Sequence, residues 1–98
     1  GLLDRVLGLT FSEFGRRVAE NKNAGTDHGA ANIMFAFGRK VKSGVIGVPP
    51  DLENLDPLGD VVFKTDFRSV YAGVLKGWLQ TDPDNVLLGK FEPINLVV

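Results

Sequence analysis

The side chains in these 98 residues best suited to chemistry fall within one stretch, Leu9 to Gly38. His28, the single histidine, stands in the run Gly25-Thr26-Asp27-His28-Gly29. A neutral imidazole is the commonest protein metal ligand and a frequent general acid or base. Glu13 comes earlier, in Ser12-Glu13-Phe14-Gly15, and a carboxylate there could bind a hard cation or zinc. Asp27 adds a second carboxylate beside the imidazole. Arg16 and Arg17 could hold an oxyanion, because guanidinium forms paired hydrogen bonds to phosphate or sulfate. Each residue also has a plain structural reading. His28 could be a surface residue of a loop, Glu13 a turn residue or a partner for either arginine, Asp27 a cap, and the arginines a solvated pair.

The inventory limits what these groups could build. A catalytic zinc takes about three protein ligands and an open position, and a two-metal hydrolase needs more, plus a nucleophile. With one histidine and no cysteine, the chain either is not catalytic or belongs to a larger enzyme. The absence of cysteine also excludes disulfides and thiolate metal sites. A net charge of -1 with no basic stripe argues against nucleic acid as a partner. No apolar run reaches the ~18 residues of a membrane span. Hydrophobic residues at 44% and charged residues at 23% are ordinary for one globular domain with a modest core. The chain starts on Gly1 and opens on an apolar segment, which suggests a piece lacking its N-terminal part.

The elements that would position these groups follow from periodicity. The front reads as the last turn of a helix, and Arg5 to Phe11 as a strand apolar on both faces. Ser12 to Gly15 end it, and the tip of such a strand is where open α/β sheets place ligands. Arg16 to Gly25 reads as a polar surface loop with Asn21, Asn23 and Gly25 as turn formers. Ala30 to Gly38 reads as a second buried strand, Arg39 to Gly44 as a basic turn, and Val45 to Val48 as a short strand stopped by Pro49 and Pro50. Asp51 to Gly59 is acidic and loop-like, with room for one helical turn, and Asp60 to Lys64 is extended. Thr65 or Asp66 caps a helix whose apolar positions Phe67, Val70, Tyr71, Val74, Leu75, Trp78 and Leu79 recur every three or four residues. Ser69, Gly73 and Gly77 share a spacing of four, which would let another backbone approach closely. Asp82-Pro83 ends this helix, Asp84 to Leu88 adds a turn, and Phe91 to Val98 packs down as an irregular or edge strand.

Several of these runs resemble one bacterial family. They are Ser12-Glu13-Phe14-Gly15-Arg16-Arg17, Gly25-Thr26-Asp27-His28-Gly29, the strand ending Phe35-Ala36-Phe37-Gly38, Thr65-Asp66-Phe67-Arg68-Ser69-Val70-Tyr71-Ala72, Trp78-Leu79 and Leu88-Gly89-Lys90-Phe91. The family is catalogued as a domain of unknown function. It is sulfatase-like, is placed in the alkaline phosphatase superfamily, and its members often carry twin-arginine export signals. The resemblance implies an exported, periplasmic protein of which residues 1–98 form a single C-terminal fragment or subdomain. It implies an α/β fold, with a partial mixed or parallel sheet and one main C-terminal helix. By the superfamily pattern Glu13 stands at the metal-binding acid and His28 at a later metal-binding histidine. Phe14 stands where the superfamily has another histidine, which leaves one metal position without its ligand.

Two functions remain open on this resemblance. One is the C-terminal portion of a metal-dependent phospho- or sulfoester hydrolase-like protein, inactive as this piece alone. Its metal ligands would be His28, Glu13 and, less directly, Asp27. Its cofactor would be a divalent ion (zinc, manganese, calcium or magnesium), and Arg16 and Arg17 would bind the anion. The other is a binding or scaffold module with a decayed metal site. In either case the expected partner is the N-terminal part of the same full-length chain, with self-association of the piece through exposed strand edges and apolar faces.

Overall fold

A computed structural model describes all residues, Gly1–Val98. A 3₁₀ turn at Leu2–Arg5 leads to strands β1 (Gly8–Leu9), β2 (Gly15–Glu20), β3 (Thr26–Gly29) and β4 (Ala36–Phe37). Helix α1 (Phe67–Gly73), a π-helical segment (Val74–Trp78) and helix α2 (Pro83–Leu87) follow. β1 pairs with β4, and β2 with β3. Two compact units are distinguishable. One is formed by Gly1–Gly8, Ala36–Val45 and Thr65–Val98, the other by Leu9–Phe35 and Ile46–Lys64.

In the first unit α1 begins where the sequence signals it. Asp66 has extended backbone, and its carboxylate accepts from the Arg68 N–H, satisfying one of the donors a helix start leaves unpaired. The Arg68 guanidinium pairs with the same carboxylate at 2.7 and 2.9 Å. Phe67 and Tyr71, one turn apart, meet edge to face with centroids 5.5 Å apart. Ala72 is fully buried. A Cβ on Gly73 would lie 2.0 Å from the Ile94 carbonyl oxygen, so only glycine admits the C-terminal segment this close. There the Ile94 N–H donates to the Ser69 carbonyl at 3.1 Å. The glycine spacing of four is a docking track, as expected.

After Gly73 the helix widens. The Leu79 N–H reaches back five residues to the Val74 carbonyl at 3.0 Å, and the Thr81 N–H to that of Leu75 at 2.9 Å. Asp82 then caps α2 through the Asp84 N–H, with Pro83 opening the helix and left-handed Leu88 (φ 56°) closing it. The tail runs as an edge. The Lys42 N–H donates to Leu96 and the Val98 N–H to Lys40, around an antiparallel bridge between Val41 and Val97. Leu96 is buried.

In the second unit β2 and β3 form an antiparallel hairpin with Gly15 opposite Gly29, Arg16 opposite His28 and Glu20 opposite Thr26, and a break in register between Arg16 and Glu20. Asn21 makes the turn, as its type predicts: its side-chain oxygen accepts from the Asn23 and Gly25 N–H groups. Asp51 and Asp56 organise the later loop in the same way, taking backbone N–H groups two to four residues on. Val61 is the buried hydrophobic residue of this unit.

Several expectations are corrected. The one ladder of any length is an antiparallel hairpin, not part of a parallel sheet, and the short two-stranded sheets do not carry the alkaline phosphatase architecture. Arg16 to Glu20, the first half of the expected loop, is strand: Arg16 stands opposite His28 across the hairpin, and Arg17 is tied to Asp60. Of Ala30 to Gly38 only Ala36–Phe37 is strand, and Ile33, Phe35 and Phe37 are 60–65% exposed. An apolar run becomes a buried strand only when other elements cover both its faces, and within residues 1–98 nothing does so. Val45 to Val48 forms no strand, and Asp51 to Gly59 forms no helical turn. The helix expected from Phe67 to Leu79 is divided into α1 and the π segment, while α2 stands where a separate turn was expected.

Two predictions follow from the caps and contacts of α1. Hydrogen bonds from the Arg68 side chain and backbone lower the Asp66 carboxyl from 3.8 to about 2. A carboxylate depressed in the folded state stabilises fully above its unfolded value, and that contribution is lost as pH falls from about 4 towards 2. Asp66→Asn keeps a capping oxygen and should flatten this part of the thermal-midpoint profile, whereas Asp66→Ala should lower the midpoint at neutral pH as well. A wild-type profile no steeper than that of Asp66→Asn between pH 4 and 2 would contradict the assignment. Second, Gly73→Ala should destabilise by about 1–3 kcal/mol or more, because backbone must move. Gly77→Ala meets only a Val97 methyl at 3.1 Å and gains about 1 kcal/mol of helix propensity, so its urea midpoint should stay near the wild-type value.

Candidate functional site

The hairpin carries the site, and two glycines make it. A Cβ on Gly15 would lie 1.5 Å from the Ala31 carbonyl oxygen, and one on Gly29 would lie 2.8 Å from the Arg16 carbonyl carbon. Glycine at both positions lets the strands and the following segment close without a side chain between them. With Gly15 opposite Gly29, Arg16 falls directly opposite His28, where cross-strand Cβ atoms lie about 4.5–5.5 Å apart. Residues two apart on a strand share a face. Phe14 therefore falls diagonally across from His28, beside Arg16.

The side chains use that placement. The Phe14 and His28 rings stack with centroids 3.6 Å apart and planes 17° from parallel. The Arg16 guanidinium sits 5.0 Å from the centre of the Phe14 ring, and its Nη1 donates to the Thr26 carbonyl. A guanidinium has five N–H donors, so Arg16 keeps most of its donors for another acceptor. His28 is exposed. Its ring nitrogens enter none of the hydrogen bonds of the chain, which leaves one free to accept and the other free to donate.

The other residues singled out in the sequence go elsewhere. Asp27 precedes His28 in β3 and so faces the opposite side of the ladder, where its carboxylate accepts from Asn21 Nδ2 at 3.2 Å. Arg17 likewise leaves the Arg16 face. Its Nε donates to Asp60 Oδ1 at 2.8 Å in a partly buried ion pair. That hydrogen bond, with the Asp60 charge behind it, raises the Arg17 pKa above its ordinary value. Arg17 acts as a tie between β2 and the later loop. Glu13 is exposed at the bend before Phe14 and pairs with neither arginine.

No three His, Cys, Asp or Glu side chains are grouped as a metal centre requires. His28 and Asp27 lie on opposite faces of one strand, and the face of His28 carries a guanidinium. These side chains do not fit a metal centre made by residues 1–98 alone. What they do form is an exposed hairpin face on which an imidazole and a guanidinium stand side by side. Phe14, which sequence reasoning set aside as a departure from a ligand pattern, is the residue in contact with His28. The signal that could have found it is the Gly15 and Gly29 pair, which fixes the hairpin register. Asp60, 43 residues from Arg17, gives no local signal.

No helix is long and apolar enough to cross a membrane. No curated protein and no solved structure shows significant similarity to the chain. A family model does match, over residues 1–62, a span that includes β1 to β4 and the whole hairpin site. On that match the chain belongs to the family described as Protein of unknown function (DUF1501).

Proposed function

We propose that residues 1–98 are the C-terminal portion of a phospho- or sulfoester hydrolase-like protein, and that the β2–β3 face supplies it with an oxyanion-binding and proton-transfer surface. The observation that carries this reading is the pairing of Arg16 with His28 on one face, with the imidazole braced on Phe14 and its nitrogens unengaged. Arg16 would hold the ester oxyanion through two parallel hydrogen bonds. His28 would pass a proton to or from the reacting oxygen, a role imidazole performs near neutral pH. A nucleophile is not among the residues of this face, so it would come from elsewhere in the intact protein. A divalent ion held by His28 would likewise take its remaining ligands from outside this chain. The sulfatase-like character, the alkaline phosphatase superfamily and the export signals implied by the sequence resemblance are part of the same proposal.

A second reading has its own support. Phe14, which packs on His28, stands where the sequence resemblance would have a further histidine ligand. That favours a binding or scaffold module on a site that has lost its metal. One experiment separates the two. The intact protein is assayed with aryl phosphate and aryl sulfate esters, and its metal content is measured. Turnover that falls about 100-fold or more in His28→Ala supports the hydrolase; a metal-free, inactive intact protein supports the module.

The exposed Ile33, Phe35 and Phe37 support the proposed partners, which are the remainder of the same polypeptide or a second copy of this chain. Residues 1–98 alone should elute in dilute solution as more than a monomer. They should return to monomer size when the preceding part of the chain is added in trans. A monodisperse monomer of residues 1–98 by light scattering would remove this support.

A further inference from the structure

We propose that Phe14 is a positioning residue: it sets the plane of the His28 imidazole on the anion-facing side of the hairpin. This rests on the reading of His28 as a working group. A hydrogen bond at one ring nitrogen is the usual device that fixes the tautomer and orientation of a working imidazole. His28 has none, and its packing contact is the Phe14 ring at 3.6 Å and 17°. The stack orients the imidazole while leaving both nitrogens free to react, which a hydrogen-bonded partner could not do.

Phe14 is itself held more firmly than an edge residue needs. Its carbonyl accepts from Ser12 Oγ at 2.9 Å and from Asn32 Nδ2 at 3.1 Å. The next residue, Gly15, is buried with its Cα against the Ala31 carbonyl. The half-buried ring thus stands on a backbone fixed from three directions, and it turns one surface to His28. Its ring also lies within 5.0 Å of the Arg16 guanidinium, close enough for cation–π attraction. One aromatic ring therefore locates both polar groups of the site. Leucine has comparable bulk but no flat face, so it would keep the local packing and lose the alignment.

Nuclear magnetic resonance of the 98-residue chain reads the alignment directly. The two carbon-bound ring protons of His28 should be displaced from random-coil positions by the Phe14 ring current, and the imidazole should be as ordered as the backbone. Phe14→Leu should return both protons to random-coil values and free the ring, and Phe14→Tyr should restore both properties. In the intact protein, Phe14→Leu should lower kcat about tenfold or more with KM little changed, as expected when a reacting group is misplaced, and Phe14→Tyr should recover it. Random-coil ring protons in the wild type overturn the proposal, and that measurement stands even if Phe14→Leu fails to fold. Full kcat in Phe14→Leu with a mobile imidazole also overturns it, while leaving the hydrolase reading intact. If the wild type turns over neither ester, the hydrolase reading falls and the ring measurements alone decide the role of Phe14.

Discussion

Backbone lying directly against backbone is the constraint on which the rest of this structure depends. It occurs at Gly15 against Ala31, at Gly29 against Arg16 and at Gly73 against Ile94. At each place a single added carbon would overlap the neighbouring main chain. These contacts bury little apolar area, so they contribute less by hydrophobic transfer than by fixing where polar backbone groups meet. At Gly73 the closeness permits the hydrogen bond between Ile94 and Ser69. At Gly15 and Gly29 it fixes the hairpin register, and the register decides which side chains share a face.

That decision has a chemical consequence. A one-residue slip in a two-stranded ladder exchanges the faces. It would put Arg16 opposite Asp27 or Gly29 in place of His28. In the observed register the two groups suited to an oxyanion stand together. Arg17 and Asp27 are spent on structural contacts with Asp60 and Asn21. Adjacent arginines with equal chemistry in the sequence thus receive different tasks, because neighbours along a strand point in opposite directions.

The small number of buried hydrophobic residues, Val61, Ala72 and Leu96, shows why polar anchors matter here. Asn21, Asp51, Asp56, Asp66 and Asp82 each hold a turn or a helix start through a side-chain oxygen and nearby N–H groups. Such bonds are local and need no deep core, so they form even where the apolar runs beside them stay exposed. The helical part shows the same division of labour. Asp66 and Asp82 define where helices start, while the tertiary contact at Gly73 marks the place where the α-helical ladder gives way to the π form.

Features set by neighbours in the chain could be read from the sequence alone. The Asp66 cap, the Asn21 turn, the Asp82-Pro83 break and the docking track of Ser69, Gly73 and Gly77 are all legible because their partners lie within a few residues or follow a fixed spacing. His28 and Arg16 could be named as chemical candidates from their types. What required the tertiary structure was every property that depends on a distant partner. The antiparallel register, the stacking of Phe14 on His28, the tie of Arg17 to Asp60 and the exposure of Ile33, Phe35 and Phe37 belong to this group. The physical reason is that local patterns record which face of an element is apolar or polar. Which residue comes to lie against that face is decided by how the chain returns upon itself.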